Sequence, residues 1–138
     1  MRVVLVDDQK LVRQGFRLIL AVEPDITVVG EATNGAEGVD VVKETAPDVV
    51  LMDVQMPVMD GVAATAKIRE FSDVKVVILT TFDRDDYLFD ALDAGASGFM
   101  LKNADAESLV AGLRQVADGH GLLAPEVTRR VIARSVHQ

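Results

Sequence analysis

The chain has 138 residues, a formal net charge of −8 and no cysteine, which excludes a disulfide framework, a thiolate metal site and a cysteine nucleophile. The acidic balance argues against direct binding to a nucleic-acid backbone, and the apolar runs are shorter than the roughly 18 residues that cross a bilayer. The apolar segment before Asp7 is too short for a secretory signal, so we expect a cytoplasmic protein that does not enter membranes.

Five short apolar runs begin near Val3, Ile26, Val49, Val76 and Phe99, at intervals of 23 to 27 residues. Each interval has room for one helix, which is the spacing of consecutive βα units. Valine-rich runs that end abruptly are typical of parallel strands covered by helices on both faces. We therefore predict a doubly wound, three-layer α/β sandwich with a five-stranded parallel sheet in the order 2-1-3-4-5.

The intervals between the runs carry helical patterns. In the first interval, apolar residues recur at helical spacing and predict a helix: Leu11, Val12, Phe16, Ile19 and Leu20. Asn34 opens the second helix, and Asp105 is placed to cap the fifth. The third and fourth helices are predicted over about 62–71 and 84–94.

Polar side chains follow four of the five apolar runs: Asp7 and Asp8, Asp53, Thr80 and Thr81, and Lys102. Ligands of open α/β sheets bind at the carboxyl ends of the strands, near the point where the strand order reverses. Three carboxylates, a hydroxyl and an amine are therefore expected to meet at one place. This set suits an oxyanion together with a divalent cation.

The acids themselves indicate a metal. Asp7 and Asp8 beside Asp53 would repel one another unless a cation lay among them. Oxygen ligands without histidine or cysteine suit a hard ion, and Mg²⁺ commonly binds one or two carboxylates with phosphate and water. The competing interpretation is that Asp8 caps the first helix and Asp53 starts a turn.

Two further residues each have a plain structural alternative. Lys102 ends a predicted buried strand, so its ammonium either pairs with an anion or extends outward to solvent. Thr80 is an ordinary strand former, and its interest is the hydroxyl donor that the set otherwise lacks.

Together these residues resemble the response-regulator receiver domains of two-component signalling, over about residues 1–120. The stretches that carry the resemblance are Val6-Asp7-Asp8-Gln9, Leu51-Met52-Asp53, Met56-Pro57-Val58-Met59-Asp60-Gly61 and Ala94 to Lys102. The NarL/FixJ (LuxR-type) subfamily is indicated by Val28-Val29-Gly30-Glu31-Ala32, Thr80-Thr81-Phe82-Asp83 and Lys102-Asn103. Asn103 departs from the proline found there in many receivers, and Phe99 from the tyrosine.

The resemblance implies a flavodoxin-like fold and a phosphorelay mechanism. Asp53 would be the phosphoacceptor that takes a phosphoryl group from a histidine kinase. Mg²⁺ would be held by Asp8, Asp53 and the backbone carbonyl of Gln55, with Asp7 acting through water.

The resemblance also assigns the switch. Lys102 would neutralise a phosphate oxygen, and Thr80 would hydrogen-bond another and move toward it. Phe99 would respond to Thr80 as the second member of a bistable pair. The alternative for Phe99 is a plain core aromatic.

The segment 121–138 is predicted to be a linker with a short helix over about 125–136. In the subfamily such a linker leads to a helix-turn-helix DNA-binding domain, so DNA would be bound only through a domain that this chain lacks. A stand-alone receiver remains open. The expected partners are a sensor histidine kinase and, on phosphorylation, a second copy of the chain.

Three rival functions are less well supported by the residues. Aspartate-dependent phosphatases need a second acid two positions after the nucleophile, where this chain has Gln55 after Asp53. A nucleotide-binding module would need a glycine-rich loop after the first strand, where Asp8-Gln9-Lys10 stands instead. A degenerate receiver, acting only by binding partners, would not need the complete acid set. We therefore expect a phosphoacceptor signalling domain and not an enzyme acting on other substrates.

Overall fold

The computed structural model describes residues 1–80, 85–120 and 122–123, with the backbone alone at 85–87 and 122–123. Strands and helices alternate along the chain: β1 (Arg2–Val6), α1 (Lys10–Ala21), β2 (Thr27–Ala32), α2 (Gly35–Thr45), β3 (Val49–Asp53), α3 (Gly61–Arg69), β4 (Lys75–Thr80), α4 (Asp85–Asp93), β5 (Gly98–Leu101), α5 (Ala106–Ala117) and β6 (Leu122–Leu123). The helix predicted over 125–136 and the residues Thr81, Phe82 and Asp83 lie outside the described residues.

All strands are parallel, and their order across the sheet is β2-β1-β3-β4-β5-β6. The predicted order 2-1-3-4-5 is therefore confirmed. A sixth strand, which the sequence did not predict, pairs Leu122 with Gly98 and Leu123 with Phe99. Two apolar residues are too few to show a period, so only the pairing reveals this strand.

The sheet has a buried core on each face. On β1, Val4 and Val6 belong to the cluster that α2, α3 and α4 cover, whereas Val3 and Leu5 belong to the cluster that α1 and α5 cover. Successive strand side chains point to opposite faces, so a strand covered on both faces has to be apolar throughout. This requirement explains the continuous apolar runs in the sequence.

The helix starts agree with the sequence, and the structure shows which apolar residues of α1 are covered. Asn34 accepts a hydrogen bond from the Glu37 N–H at 2.9 Å, and Asp105 accepts one from the Ser108 N–H at 2.7 Å. Of the apolar residues at helical spacing in α1, Leu11 is 82% exposed, while Leu20 is fully buried. Helical spacing shows which residues share an apolar stripe, and only the packing shows which part of that stripe is covered.

The helices are short. Across the ranges that the structure describes, none combines the length and the apolar character needed to cross a bilayer.

Candidate metal centre at the carboxyl edge of the sheet

The two central strands bring the acids together. β1 and β3 are neighbours with Val6 opposite Met52, so Asp7 and Asp53 leave the sheet side by side. One carboxylate oxygen from each of Asp7, Asp8 and Asp53 lies within 4.8 Å of the others. Asp7 and Asp53 are only 2% and 4% exposed, whereas Asp8 is exposed. The predicted convergence of the three carboxylates is observed.

Lys102 reaches this cluster from β5, across the end of β4. Its Nζ lies 3.0 Å from Asp53 Oδ1 and 3.6 Å from Asp7 Oδ2. Its backbone N–H donates to the Thr80 carbonyl at 2.9 Å, which joins the ends of β4 and β5. The side chain is 25% exposed and directed at the two acids, so the outward-pointing alternative is wrong.

Burial and the neighbouring charges set the protonation of this cluster. Burial raises the pKa of Asp53, the Lys102 ammonium works against that rise, and the carboxylate of Asp7 adds to it. Burial by itself would lower the pKa of Lys102, but Asp53 and Asp7 outweigh it, and the pKa of Lys102 is raised. Lys102 is therefore held as an ammonium, and the ionised Asp53 carries a desolvation cost that a further cation would offset.

One buried oxygen atom of Asp7 has no hydrogen bond within the described part of the chain. Asp7 Oδ1 accepts from the Gln9 N–H at 2.8 Å, but among the described residues the buried Asp7 Oδ2 has no hydrogen-bond partner, and the Lys102 Nζ lies 3.6 Å from it. Buried polar atoms without a hydrogen bond are uncommon and point to an ion or water. An oxygen-only donor set with such an atom fits a hard divalent cation such as Mg²⁺.

Asp8 does not cap the first helix. Gln9 is the N-cap residue of α1 and makes no side-chain capping hydrogen bond. The alternative role of Asp8 as a helix cap is therefore wrong, and its position beside Asp7 and Asp53 is the one that the metal interpretation predicted.

The loop after β3 is closely packed against the phosphoacceptor candidate. Gly61 begins α3 and donates its N–H to the Val54 carbonyl at 2.8 Å. A Cβ atom at Gly61 would lie 2.1 Å from the Asp53 carbonyl oxygen, so only glycine fits there. Gln55 is exposed in this loop, two residues beyond Asp53. Its carbonyl is thus in the same loop as the acid with which it was predicted to bind metal.

The same loop contains strained backbone. Val58 has a φ of 70°, and the Met59 N–H donates to the Pro57 carbonyl at 2.8 Å around it. A β-branched residue in the left-handed region is rare, and such residues cluster near functional sites. Val58 is also 84% exposed, so the strain is not offset by burial of its side chain.

The two predicted switch residues lie on neighbouring strands. Thr80 ends β4 and is 6% exposed, and Phe99 on β5 is fully buried in the core cluster that includes Ile78, Leu88 and Ala91. Phe99 therefore has the packing of a core aromatic. Its role in switching stays a prediction.

Sequence reasoning missed Arg13, on the side of the cluster opposite Lys102. The Arg13 Nη1 donates to the Asp7 carbonyl at 2.6 Å, and its Nε donates to Glu31 Oε1 at 3.1 Å. The side chain is 12% exposed, which is low for an arginine. An arginine among the apolar residues of a helix that directly follows Asp7-Asp8 was the available signal.

Comparison with known proteins identifies the family. The profile of the response regulator receiver domain matches residues 3–114. The chain belongs to this family. It is 42% identical over 137 residues to the transcriptional regulatory protein LiaR of Bacillus subtilis, with 99% of this chain and 65% of LiaR covered. The chain thus spans about two thirds of the length of that relative.

Two solved structures are similar to this chain, and one of them belongs to the LuxR family. A two-component response regulator of the LuxR family from Aurantimonas sp. is 32% identical, with a TM-score of 0.91 and 98% and 97% of the two chains covered. A CheX–CheY–BeF₃–Mg²⁺ complex from Borrelia burgdorferi contains a chain 26% identical, with a TM-score of 0.78 and 84% and 88% covered. The predicted receiver fold and the LuxR-type branch are confirmed.

Proposed function

We propose that Asp53 is the phosphoacceptor of this receiver and takes its phosphoryl group from a histidine kinase. The observation that carries the proposal is the ammonium of Lys102, 3.0 Å from Asp53 and 3.6 Å from Asp7 at the point where three carboxylates meet. Phosphoryl transfer depends mainly on positioning and on neutralising charge, and this edge of the sheet supplies both.

Mg²⁺ is the ion that the donor set fits. Asp8, Asp53 and the carbonyl of Gln55 would hold it, and Asp7, with its buried Oδ2, would act through water. The bound ion would neutralise charge on the transferring phosphoryl group. The Mg²⁺ in the Borrelia relative's complex supports this assignment.

The contacts of Asp53 indicate which oxygen attacks. In the described part of the chain, its Oδ1 accepts from the Val54 N–H at 2.8 Å and faces Lys102. Oδ2 would therefore attack phosphorus, forming an O–P bond as the N–P bond of the kinase phosphohistidine breaks. The product is an acyl phosphate on Asp53. The Lys102 ammonium would then pair with a phosphate oxygen.

The added charge would then change the conformation of residues on the neighbouring strands. A phosphoryl group adds roughly −1.5 to −2 charge at the end of β3. Thr80, beside it at the end of β4, would donate its hydroxyl to a phosphate oxygen, and Phe99 would repack in response. In the whole protein we propose that this change controls homodimerisation and, through a helix-turn-helix domain, transcription. The relatives described as transcriptional regulators support this output.

The test uses acetyl phosphate and Mg²⁺ with the chain as it stands. We expect a mass gain of one phosphoryl group, assigned to Asp53 by mass spectrometry after reductive trapping. Asp53→Asn should abolish the gain, and EDTA should prevent it. Asp40→Asn is the matched control, because Asp40 is an exposed acid on α2.

Two results would contradict the proposal. Labelling that survives in Asp53→Asn would remove the assignment of the phosphoacceptor. Sustained turnover of a small phosphate ester, many cycles per minute, would favour an aspartate-dependent phosphatase, which also uses aspartate, Mg²⁺ and lysine.

A further inference from the structure

We propose that Arg13 is a positioning residue that orients the Asp7–Asp8 peptide and thereby sets the Mg²⁺ affinity of the site. This inference rests on the proposed function, since it concerns the same metal site. In this role Arg13 acts through the Asp7–Asp8 peptide, and neither binds the metal nor touches the phosphoryl donor.

The first step is the placement of the guanidinium. Arg13 lies one turn into α1, which begins at Lys10 directly after the two acids. Helical side chains lean toward the N-terminus of their helix, and this direction brings the Arg13 side chain back to the end of β1. There its Nη1 donates to the Asp7 carbonyl at 2.6 Å.

The second step is the peptide group that Arg13 holds. The Asp7 carbonyl belongs to the peptide that links Asp7 to Asp8, so any tilt of this peptide moves both carboxylates relative to Asp53. The Asp7 N–H donates to the Ala32 carbonyl at 3.1 Å, and Asp7 Oδ1 accepts from the Gln9 N–H at 2.8 Å. The hydrogen bond from Arg13 holds the carbonyl oxygen of the same residue, Asp7.

The third step is the support of Arg13 itself. Its Nε donates to Glu31 on β2 at 3.1 Å, and Arg17 also pairs with Glu31. β2 is hydrogen-bonded to β1, with Glu31 opposite Leu5. The guanidinium is thus held between an edge strand and the metal site, and it is 12% exposed against 48% for Arg17.

The fourth step is the coordination geometry that Mg²⁺ requires. Mg²⁺ requires nearly ideal octahedral geometry, so small tilts of its ligands weaken binding. Residues that support metal ligands from outside the coordination sphere typically change metal affinity by about 10- to 100-fold when they are replaced. The positive charge of Arg13 acts in the opposite direction, because it repels a cation.

The experiment compares Arg13→Gln with Arg17→Gln by isothermal titration with Mg²⁺ alone. Both variants lose one positive charge and one partner of Glu31, but only Arg13 contacts Asp7. We expect the dissociation constant for Mg²⁺ to rise about tenfold in Arg13→Gln and to change by less than about twofold in Arg17→Gln. Arg13→Lys keeps the charge and should give an intermediate value.

A second measurement separates positioning from a general loss of structure. With acetyl phosphate, Arg13→Gln should be phosphorylated slowly at low Mg²⁺ but within about twofold of the wild-type rate at saturating Mg²⁺, since the defect lies in binding the ion. A variant damaged in its fold would stay slow at all concentrations. Circular dichroism shows whether the variant is folded. If Arg13→Gln is not folded, the Mg²⁺ dissociation constants of Arg13→Lys and Arg17→Lys are compared instead.

The outcomes are distinct. Wild-type-like or tighter Mg²⁺ binding in folded Arg13→Gln, or equal losses in the Arg13 and Arg17 variants, would overturn the inference while leaving the proposed function intact. A wild-type chain that neither binds Mg²⁺ nor accepts a phosphoryl group would instead defeat the proposed function.

Discussion

At each end of the sheet, a described cation lies between two carboxylates from other parts of the chain, and the two groups behave differently. At the carboxyl edge, Lys102 lies between Asp53 and Asp7. At the opposite edge, Arg114 of α5 lies 2.8 Å from Asp25 and 2.9 Å from Glu23. Burial raises the pKa of Asp53, whereas the hydrogen bond from Arg114 lowers the pKa of Asp25.

The difference lies in solvation and not in the number of charges. The arginine cluster is exposed, so water solvates its acids and the guanidinium adds a modest attraction. In the lysine cluster Asp7 and Asp53 are buried, and among the described residues a carboxylate oxygen of Asp7 is left without a hydrogen bond. A site that keeps uncompensated negative charge out of water is suited to bind a cation, and the exposed cluster is suited to hold α5 against the loop that follows α1.

The largest expected effect comes from Lys102→Ala without metal. Removing the ammonium leaves two buried carboxylates unpaired, and we expect a loss of about 2 kcal/mol in the free energy of unfolding. Mg²⁺ should restore most of this loss by replacing the missing positive charge. Urea titrations with EDTA and with MgCl₂ measure both quantities, and equal losses in the two conditions would contradict the comparison.

Asp53→Asn should raise the stability of the metal-free protein at neutral pH. The pKa of Asp53 is raised above its ordinary value of 3.8, so as pH rises the unfolded chain releases this proton before the folded protein does. Wild-type stability therefore falls as pH rises from 3.8 to the raised pKa of the folded protein. The variant lacks this loss. Its advantage should be absent below pH 3.8 and complete above the raised pKa of Asp53.

Melting temperatures of the two proteins over pH check this prediction. Contributions from acids that do not interact with Asp53, such as the lowered pKa of Asp105, are common to both proteins and cancel in the difference. Saturating Mg²⁺ should remove the advantage of Asp53→Asn, because the ion stabilises the ionised wild-type carboxylate. An advantage that is independent of both pH and metal would indicate a packing effect.

Val58→Gly should raise stability by about 0.5 to 1 kcal/mol, since relief of the left-handed strain exceeds the added entropy of the unfolded chain. Val22→Gly is the control, because Val22 is similarly exposed at 77% but has a φ of −79°. We expect the control to lose stability in urea unfolding. Equal losses in both variants would show that the site edge stores no strain.

Arg114→Gln should have the smallest effect. Its cluster is exposed, so the melting temperature should fall by about 1 °C or less at low salt and not measurably at roughly 0.5 M NaCl. A loss as large as that of metal-free Lys102→Ala would break the contrast between the two clusters.

The sequence by itself determined the order of the elements and the chemistry at the strand ends. Runs such as Val49 to Met52 indicate buried strands, and Asp53 and Lys102 follow runs of this kind. Asn34 and Asp105 predicted the starts of two helices, and both caps are observed. These features are local, because periodicity, capping and strand termination depend on neighbours in the chain.

The tertiary structure alone decided which surfaces are covered and which atoms lack partners. The exposure of Leu11, the pairing of Leu122 with Gly98 and the contact of Arg13 with Asp7 depend on elements far apart in sequence or on the path of a side chain. The raised pKa of Asp53 has the same origin, since desolvation depends on everything packed around the carboxylate. A residue pattern records which groups are present, and only the packing sets their distances and their access to water.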